Sequence, residues 1–279
     1  MRRRRLSRVC TGLVLGAAAL VFIFPLYYLV ATSLKTKAEL FAVVPTLVPQ
    51  APTLQPYASV LATRGMTGLL INSVIAGVSA TVLALVVAFA ICYPLTRLPV
   101  SRRVRGFVLN WALSLRFLPP IAVVIPYFTI VRAIGIYNQL PALILVYAIF
   151  NLPLSIWMLK GFLEEIPLEL EEAALVDGAS RWYAFRTILL PLARTGVLAA
   201  AIVVFAFDWA EFLFAFILTA TPQAMTFPVG VQGLVTQFEI IWNDMAAGGV
   251  IAIVLPLILM LAARRYVMTG LTFGVIREK

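Results

Sequence analysis

The sequence predicts an all-α membrane protein with six transmembrane helices and one long cytoplasmic loop. Charged residues make up only 12% of the 279, where a soluble domain carries about 25%, so too little polar surface exists to face water. Mean hydropathy is +1.01, the opposite of the balance that leaves a chain disordered. Uncharged runs long enough to cross about 30 Å of hydrocarbon recur between short bursts of charge.

The first run, residues 9–34, lies between Arg8 and Lys35 and predicts a span over about 11–32. Arg2 to Arg5 ahead of it resemble the start of a signal peptide. The run is too long for one, however, and ends in Phe24-Pro25-Leu26-Tyr27-Tyr28 rather than at a small-residue cleavage site. A retained span is expected. Residues 65–96, between Arg64 and Arg97, give the second span at about 70–94. Residues 106–131 give the third, at about 107–131, interrupted only by Arg116. Residues 133–159 give the fourth at about 140–159. Residues 195–238, which carry only Asp208 and Glu211, give the fifth at about 196–218. Residues 245–263 give the sixth at about 246–263.

Basic residues fix the expected orientation. With the N-terminus inside, the inner segments hold Arg2, Arg3, Arg4, Arg5 and Arg8; Arg97, Arg102, Arg103 and Arg105; Lys160, Arg181, Arg186 and Arg194; and Arg264, Arg265, Arg277 and Lys279. The outer segments hold only Lys35, Lys37, Arg64 and Arg132, an asymmetry of 17 to 4. Both termini are therefore expected in the cytoplasm, with a tail at 264–279. The net charge of +10 comes from these bursts rather than from a basic face, which argues against nucleic acid as a partner.

Several chemistries are excluded. There is no histidine, and the two cysteines, Cys10 and Cys92, form no cluster, so neither a zinc site nor a histidine triad can be built. No Gly-x4-Gly-Lys-Ser/Thr occurs, so the chain has no Walker A loop for ATP. No catalytic residue, metal or cofactor is expected in it. Prolines punctuate the spans at Pro25, Pro94, Pro119, Pro120, Pro126, Pro153 and Pro256; single ones read as kinks, whereas Pro119-Pro120 beside Arg116 reads as more. Gly12 and Gly16 form a small-xxx-small pair on the first span.

The inner loop at 160–195 predicts two short helices. Pro167 suits a first helical position. Glu169, Glu171 and Glu172 place carboxylates against the positive end of the first helix. Gly178 suits a left-handed C-terminal position. Ser180 caps the second helix, in which Trp182, Phe185, Ile188 and Leu189 recur at helical spacing, and Pro191 ends it. A smooth, acid-shouldered helix of this kind either enters a groove on a partner or lies on lipid.

The spacing Glu172-Ala173-Ala174-x3-Gly178-x9-Ile188-x-Leu190-Pro191, with Asp177 before the glycine, resembles the EAA loop of binding-protein-dependent ABC importer permeases. Further stretches resemble the carbohydrate branch, the maltose-type second permease subunit: Pro25 to Lys35 ending in Ser33-Leu34-Lys35, Asn72-Ser73, Leu118-Pro119-Pro120, Trp209-x-Glu211-Phe212 and the tail Gly270-Leu271-Thr272-Phe273-Gly274-Val275. Two departures stand out. The family often has Trp-Asn-Glu where this chain has Trp209-Ala210-Glu211, and its usual Gly-Ala-Val-Lys-Gly ending is replaced by Gly274-Val275-Ile276-Arg277-Glu278.

The resemblance implies an ABC type I importer permease fold in a prokaryotic inner membrane. It also implies a sister permease subunit, a dimer of ATP-binding subunits that supplies ATP and magnesium chemistry, an extracytoplasmic solute-binding protein and a carbohydrate substrate. Glu172, Ala173, Ala174, Asp177, Gly178, Ile188, Leu190 and Pro191 would couple to the ATPase, with Glu172 on a basic group there. Asn72, Arg116, Asp208 and Glu211 are the candidates for the substrate pathway; a structural ion pair or snorkelling is the competing reading of the three ionisable ones. Arg132, Glu239 and Asp244, with Phe238 and Trp242, are expected outside, facing a binding protein or forming an interfacial belt. An ion-coupled secondary transporter is the alternative from another class, although no clear repeat is present. A membrane-embedded enzyme, a third reading, lacks any histidine, metal cluster or nucleophile elbow.

Overall fold

The computed structural model describes residues 2–236 and 240–262. Phe238, Glu239, the tail at 264–279 with its Gly270–Val275 stretch, and the inner charges Arg264, Arg265, Arg277 and Lys279 lie outside these. The described residues form α1 (Arg2–Ser33), α2 (Lys37–Leu40), α3 (Gln55–Ala58), α4 (Met66–Arg97), α5 (Arg102–Arg116), α6 (Pro120–Ala133), α7 (Leu140–Glu165), α8 (Glu169–Val176), α9 (Arg181–Ala184), α10 (Leu190–Trp209), α11 (Leu213–Leu218), α12 (Phe227–Gln232) and α13 (Trp242–Ala262), with π-helical turns at Ser59–Thr63 and Phe185–Leu189. The only strand-like feature among them is one bridge, Val235 to Ile240. Five helices are long and apolar enough to cross a membrane, or six when α5 and α6 count as one span.

The chain divides into two compact units. The first joins the residues up to Thr67 with Gly230–Val254, and the second spans Gly68–Val229 and resumes at Leu255. In the first unit, residues 11–28 of α1 are exposed throughout. Lys35 is buried, donating to the Thr46 carbonyl and lying over the Tyr28 ring at 5.6 Å. Glu39 organises the loop that follows: its carboxylate accepts from Thr46 Oγ1 at 2.5 Å and from the Gln50 amide at 3.0 Å. Asp244 is buried, accepting from Ser59 Oγ at 2.7 Å and pairing with Arg64 Nε at 3.0 Å. Its expected role on an outer surface is therefore corrected: it is an internal tie, while Trp242 beside it is exposed.

The second unit carries the main core. Ala76, Ala80, Ala84 and Ala88 recur every fourth residue along α4 and are all essentially inaccessible. They face two buried clusters. One includes Leu143, Val146 and Tyr147 of α7 with Phe214 and Leu218 of α11; the other includes Ile156, Leu159 and Leu163 of α7 with Ala193 and Ala200 of α10. Small side chains let helix backbones approach closely, the main source of packing energy where lipid is as apolar as leucine. α7 packs closely on α10, where a Cβ on Gly196 would stand 2.3 Å from Phe162 Cγ.

Two expected spans are built differently. The third is a broken pair: α5 and α6 meet at a bend of 100° across Phe117-Leu118-Pro119. Pro119 stands extended at φ −63°, ψ 135° and Pro120 opens α6, since a proline disfavours helix at the residue before it and cannot itself donate to the preceding turn. Arg116 thus ends α5 at the corner instead of lying within a continuous span. The 15 residues of α5 reach only about 22 Å, short of a crossing. The fifth span begins earlier than expected and stops at Trp209, with α11 a separate short helix.

Candidate functional site

The loop between α7 and α10 is the best-defined site because each of its turns has a local cause. α7 stops at Glu165, and Ile166 leaves it in extended conformation ahead of Pro167. α8 then starts at Glu169, so Pro167 precedes the helix rather than opening it. Glu169, Glu171 and Glu172 occupy its first turn as expected. At the far end Gly178 adopts φ +90°. Its amide donates to the Leu175 carbonyl at 3.1 Å and that of Ala179 to the Ala174 carbonyl at 2.9 Å. This pair of bonds is a Schellman motif, in which a left-handed residue satisfies the last carbonyls of the helix.

Ser180 then caps α9, accepting from the Tyr183 amide at 3.2 Å. Pro191 does not end the second helix. The π turn over Phe185–Leu189 carries the Leu190 amide back to the Phe185 carbonyl, five residues earlier, so the chain runs on through Pro191 into α10 as one 29-residue helical stretch, Arg181–Trp209. A π turn shifts the hydrogen-bond register by one residue, and the missing proline N–H falls just past that shift.

Two contacts hold this loop to the spans. Phe185 stacks on Trp182 at 5.2 Å and meets Phe89 and Tyr93 of α4 edge-on at 5.7 and 5.3 Å. Arg97, the last residue of α4, donates through Nη2 to the Leu163 and Ile166 carbonyls at 2.7 and 2.9 Å, and its Nε stands 2.9 Å from Glu171 Oε1. Both side chains of this ion pair are buried, at 5% and 7% exposure. Removing one partner of such a pair costs about 3–5 kcal/mol. Burial pushes the Glu171 carboxyl above its ordinary range, with Arg97 and then Arg181 pulling it back.

Glu171 and Glu172 therefore part company. Glu171 is inside, and Glu172 is exposed with Ala173, Asp177 and Gly178, while Ala174 is half-buried. Val176 is 87% exposed, and a Cβ on Gly178 would meet nothing within 4 Å. Ile188 is half-buried, and Leu190 and Pro191 are exposed. Beneath α8 lies a cavity of about 420 Å³ lined by Arg97, Arg105, Glu171, Glu172, Leu175 and Arg181 among others. Sequence reasoning missed Arg97 and Glu171: one read as topology charge and the other as one of several first-turn acids.

The four candidates for a substrate pathway each have partners within the chain. Asn72 Nδ2 lies within 3.0–3.2 Å of the carbonyls of Pro222, Gln223 and Met225, tying α4 to the loop after α11. Asp208 is buried and accepts from Thr81 Oγ1 at 3.0 Å and Asn151 Nδ2 at 2.7 Å, joining α10 to α4 and α7. Glu211 accepts from the amides of Phe214 and Ala215 at 2.8 and 3.2 Å, a carboxylate set on the N-terminus of α11. Arg116 lies over the Phe207 ring at 4.8 Å. Near the end of α6, Arg132 lies over the Phe128 and Tyr137 rings at 5.5 and 5.2 Å. Among the described residues no three His, Cys, Asp or Glu side chains converge as a metal site would need.

Apolar helices of spanning length, a proline-broken pair and a capped loop helix define a multi-pass membrane protein. The fold is similar to that of a chain from a bacterial ABC transporter involved in the import of the acidic polysaccharide alginate, with a TM-score of 0.77 at 20% identity over 95% of this chain and 97% of that one. The chain belongs to the family of binding-protein-dependent transport system inner membrane components, whose pattern matches residues 80–273, the EAA loop included. It is 35% identical over 278 residues to the trehalose transport system permease protein SugB of Mycobacterium tuberculosis, covering 99% of this chain and 98% of that one. It is also 32% identical over 289 residues to the trehalose/maltose transport system permease protein MalG of Thermococcus litoralis, covering 99% of each. This is a permease subunit of an ABC importer, a multi-pass inner-membrane chain whose transport is driven by ATP hydrolysed elsewhere in the assembly.

Proposed function

We propose that this chain forms one half of the translocation pathway of a carbohydrate importer, with α8 as the element that an ATPase subunit pushes. The substrate class is supported by its relatives: besides the trehalose and maltose systems, it is 31% identical over 278 residues to the diacetylchitobiose uptake permease DasC of Streptomyces coelicolor. The partners are a sister permease, a dimer of ATP-binding subunits carrying ATP and magnesium, and an extracytoplasmic solute-binding protein. The solved alginate transporter in complex with a pentasaccharide-bound periplasmic protein is similar in fold. Both termini and the loop at 160–195 face the cytoplasm, following the distribution of basic residues.

The observation that carries this reading is the outward face of α8. Glu172, Ala173, Val176, Asp177 and Gly178 are exposed, and among the described residues a Cβ on Gly178 would meet nothing within 4 Å. Ala173 and Gly178 keep that face low, and Glu172 offers a carboxylate to a basic group of the ATPase. Closure of the ATPase dimer on ATP displaces α8, and the spans pass from inward-facing to outward-facing.

The test is uptake into proteoliposomes. The complete assembly with its binding protein should accumulate an oligosaccharide only with ATP inside. Uptake by this chain alone, driven by a proton or sodium gradient, would overturn the reading.

A further inference from the structure

We propose that Arg97 is the positioning residue that makes α8 move as one body with the ends of α4 and α7. This rests on the reading that α8 receives the stroke of the ATPase, and it names how that stroke enters the spans. α8 is joined to α7 by only three residues, Ile166, Pro167 and Leu168. A short peptide link constrains distance but not angle, so a push on α8 could be absorbed by rotation about Ile166–Leu168.

The guanidinium removes that freedom. One arm engages two carbonyls at the end of α7, Leu163 and Ile166, and Nε faces Glu171 in the first turn of α8, while the stem grows from the last residue of α4. The Ile166 carbonyl lies past the last turn of α7, the Leu163 carbonyl takes only a long 3.3 Å bond from the Ile166 amide, and both sit at the negative end of the helix dipole, so a buried cation is favoured there. The guanidinium hydrogen-bonds the two carbonyls and meets Glu171 as a close ion pair rather than through a hydrogen bond; a planar fork reaches both sides at once, where an ammonium is a single point charge. Because the pair is buried, neither salt nor competing water loosens it as it would a surface bridge. Arg105 and Arg181 line the cavity beside the pair, with Glu172 at its rim.

The experiment uses the complete reconstituted importer with Arg97→Lys, Arg97→Ala and Glu171→Gln. Each preparation is scored for co-purifying ATPase, ATP turnover and substrate carried per ATP. The expected result is retained assembly and turnover, with substrate per ATP reduced about tenfold in Arg97→Ala and Glu171→Gln and by less in Arg97→Lys. A second readout measures rigidity directly. Spin labels at Glu169→Cys on α8 and Trp157→Cys on α7, both exposed positions, in a background lacking Cys10 and Cys92, should report one narrow distance through the nucleotide cycle. That distribution should broaden in Glu171→Gln, an isosteric change that preserves packing.

Unchanged transport per ATP in Arg97→Ala, or a distance that stays narrow in Glu171→Gln, overturns the proposal. So does a loss of transport that merely tracks loss of assembled complex. Failure of the unmodified chain to retain the ATPase would instead strike the docking reading itself, so the two ideas fail separately.

Discussion

Replacing Gly178 separates what this chain requires of the position from what a partner requires. The residue sits at φ +90° and a Cβ there would meet nothing within 4 Å. Within the isolated permease, any L side chain thus carries the same left-handed strain, about 1–2 kcal/mol, whatever its size. If the strain is relieved by opening the last turn of α8, the capped turn with its two Schellman bonds becomes about five to thirty times less populated. Gly178→Ala and Gly178→Leu should accordingly lower the melting temperature of the purified, detergent-solubilised permease by equal amounts. In the assembled importer the two should differ. Leucine adds volume on the outward face, so ATP-driven uptake should fall further for it than for alanine, while ATP turnover persists. Equal uptake in the two variants would refute docking at this face. Unequal melting would refute the claim that the position is open.

Gly196→Ala should destabilise the permease by about 1–3 kcal/mol, because its Cβ would stand 2.3 Å from Phe162 Cγ and 2.6 Å from Phe162 Cβ; in a Phe162→Gly background, which removes both atoms, the same change should cost less in a thermal melt, and additive losses would count against a direct clash. The loop at 36–50 should open in acid: the hydrogen bond from Thr46 above all, then those from the Gln50 and Ala51 amides, hold the Glu39 carboxyl below its ordinary 4.5. Since the folded value is the depressed one, this support is complete above 4.5 and lost as pH falls through the folded value. Hydrogen exchange of the loop should show it, and protection that stays flat from about pH 6 to about pH 3 would contradict it.

Features set by adjacent residues were legible in the sequence. Long uncharged runs became helices, Gly178 and Ser180 capped the neighbours expected of them, and Pro119-Pro120 broke the chain where they stand. What stayed hidden depended on distant partners. Glu171 and Glu172 are adjacent carboxylates with the same propensity, and only the arrival of Arg97 from α4 draws one of them inside. Asp244 reads as an outer-loop charge until Arg64, 180 positions earlier, comes to it. Asn72, Asp208 and Glu211 stood out as polar groups in apolar surroundings, which marks them as constrained without saying by what. Their partners are carbonyls, a threonine, an asparagine and backbone amides that carry no signal of their own. Pro191 misled for a subtler reason: whether a proline ends a helix depends on the turn before it, and a π turn has no simple sequence mark.

The first helix shows how such a chain depends on company. From residue 11 to residue 28 it is exposed along its length, so its greasy surface finds shelter in acyl chains or on a neighbouring polypeptide. A copy released without those surroundings would present one of its longest sticky surfaces to whatever it met first. Expression of this chain is therefore best matched in amount to its companions, with orphaned copies the first to clump or be degraded.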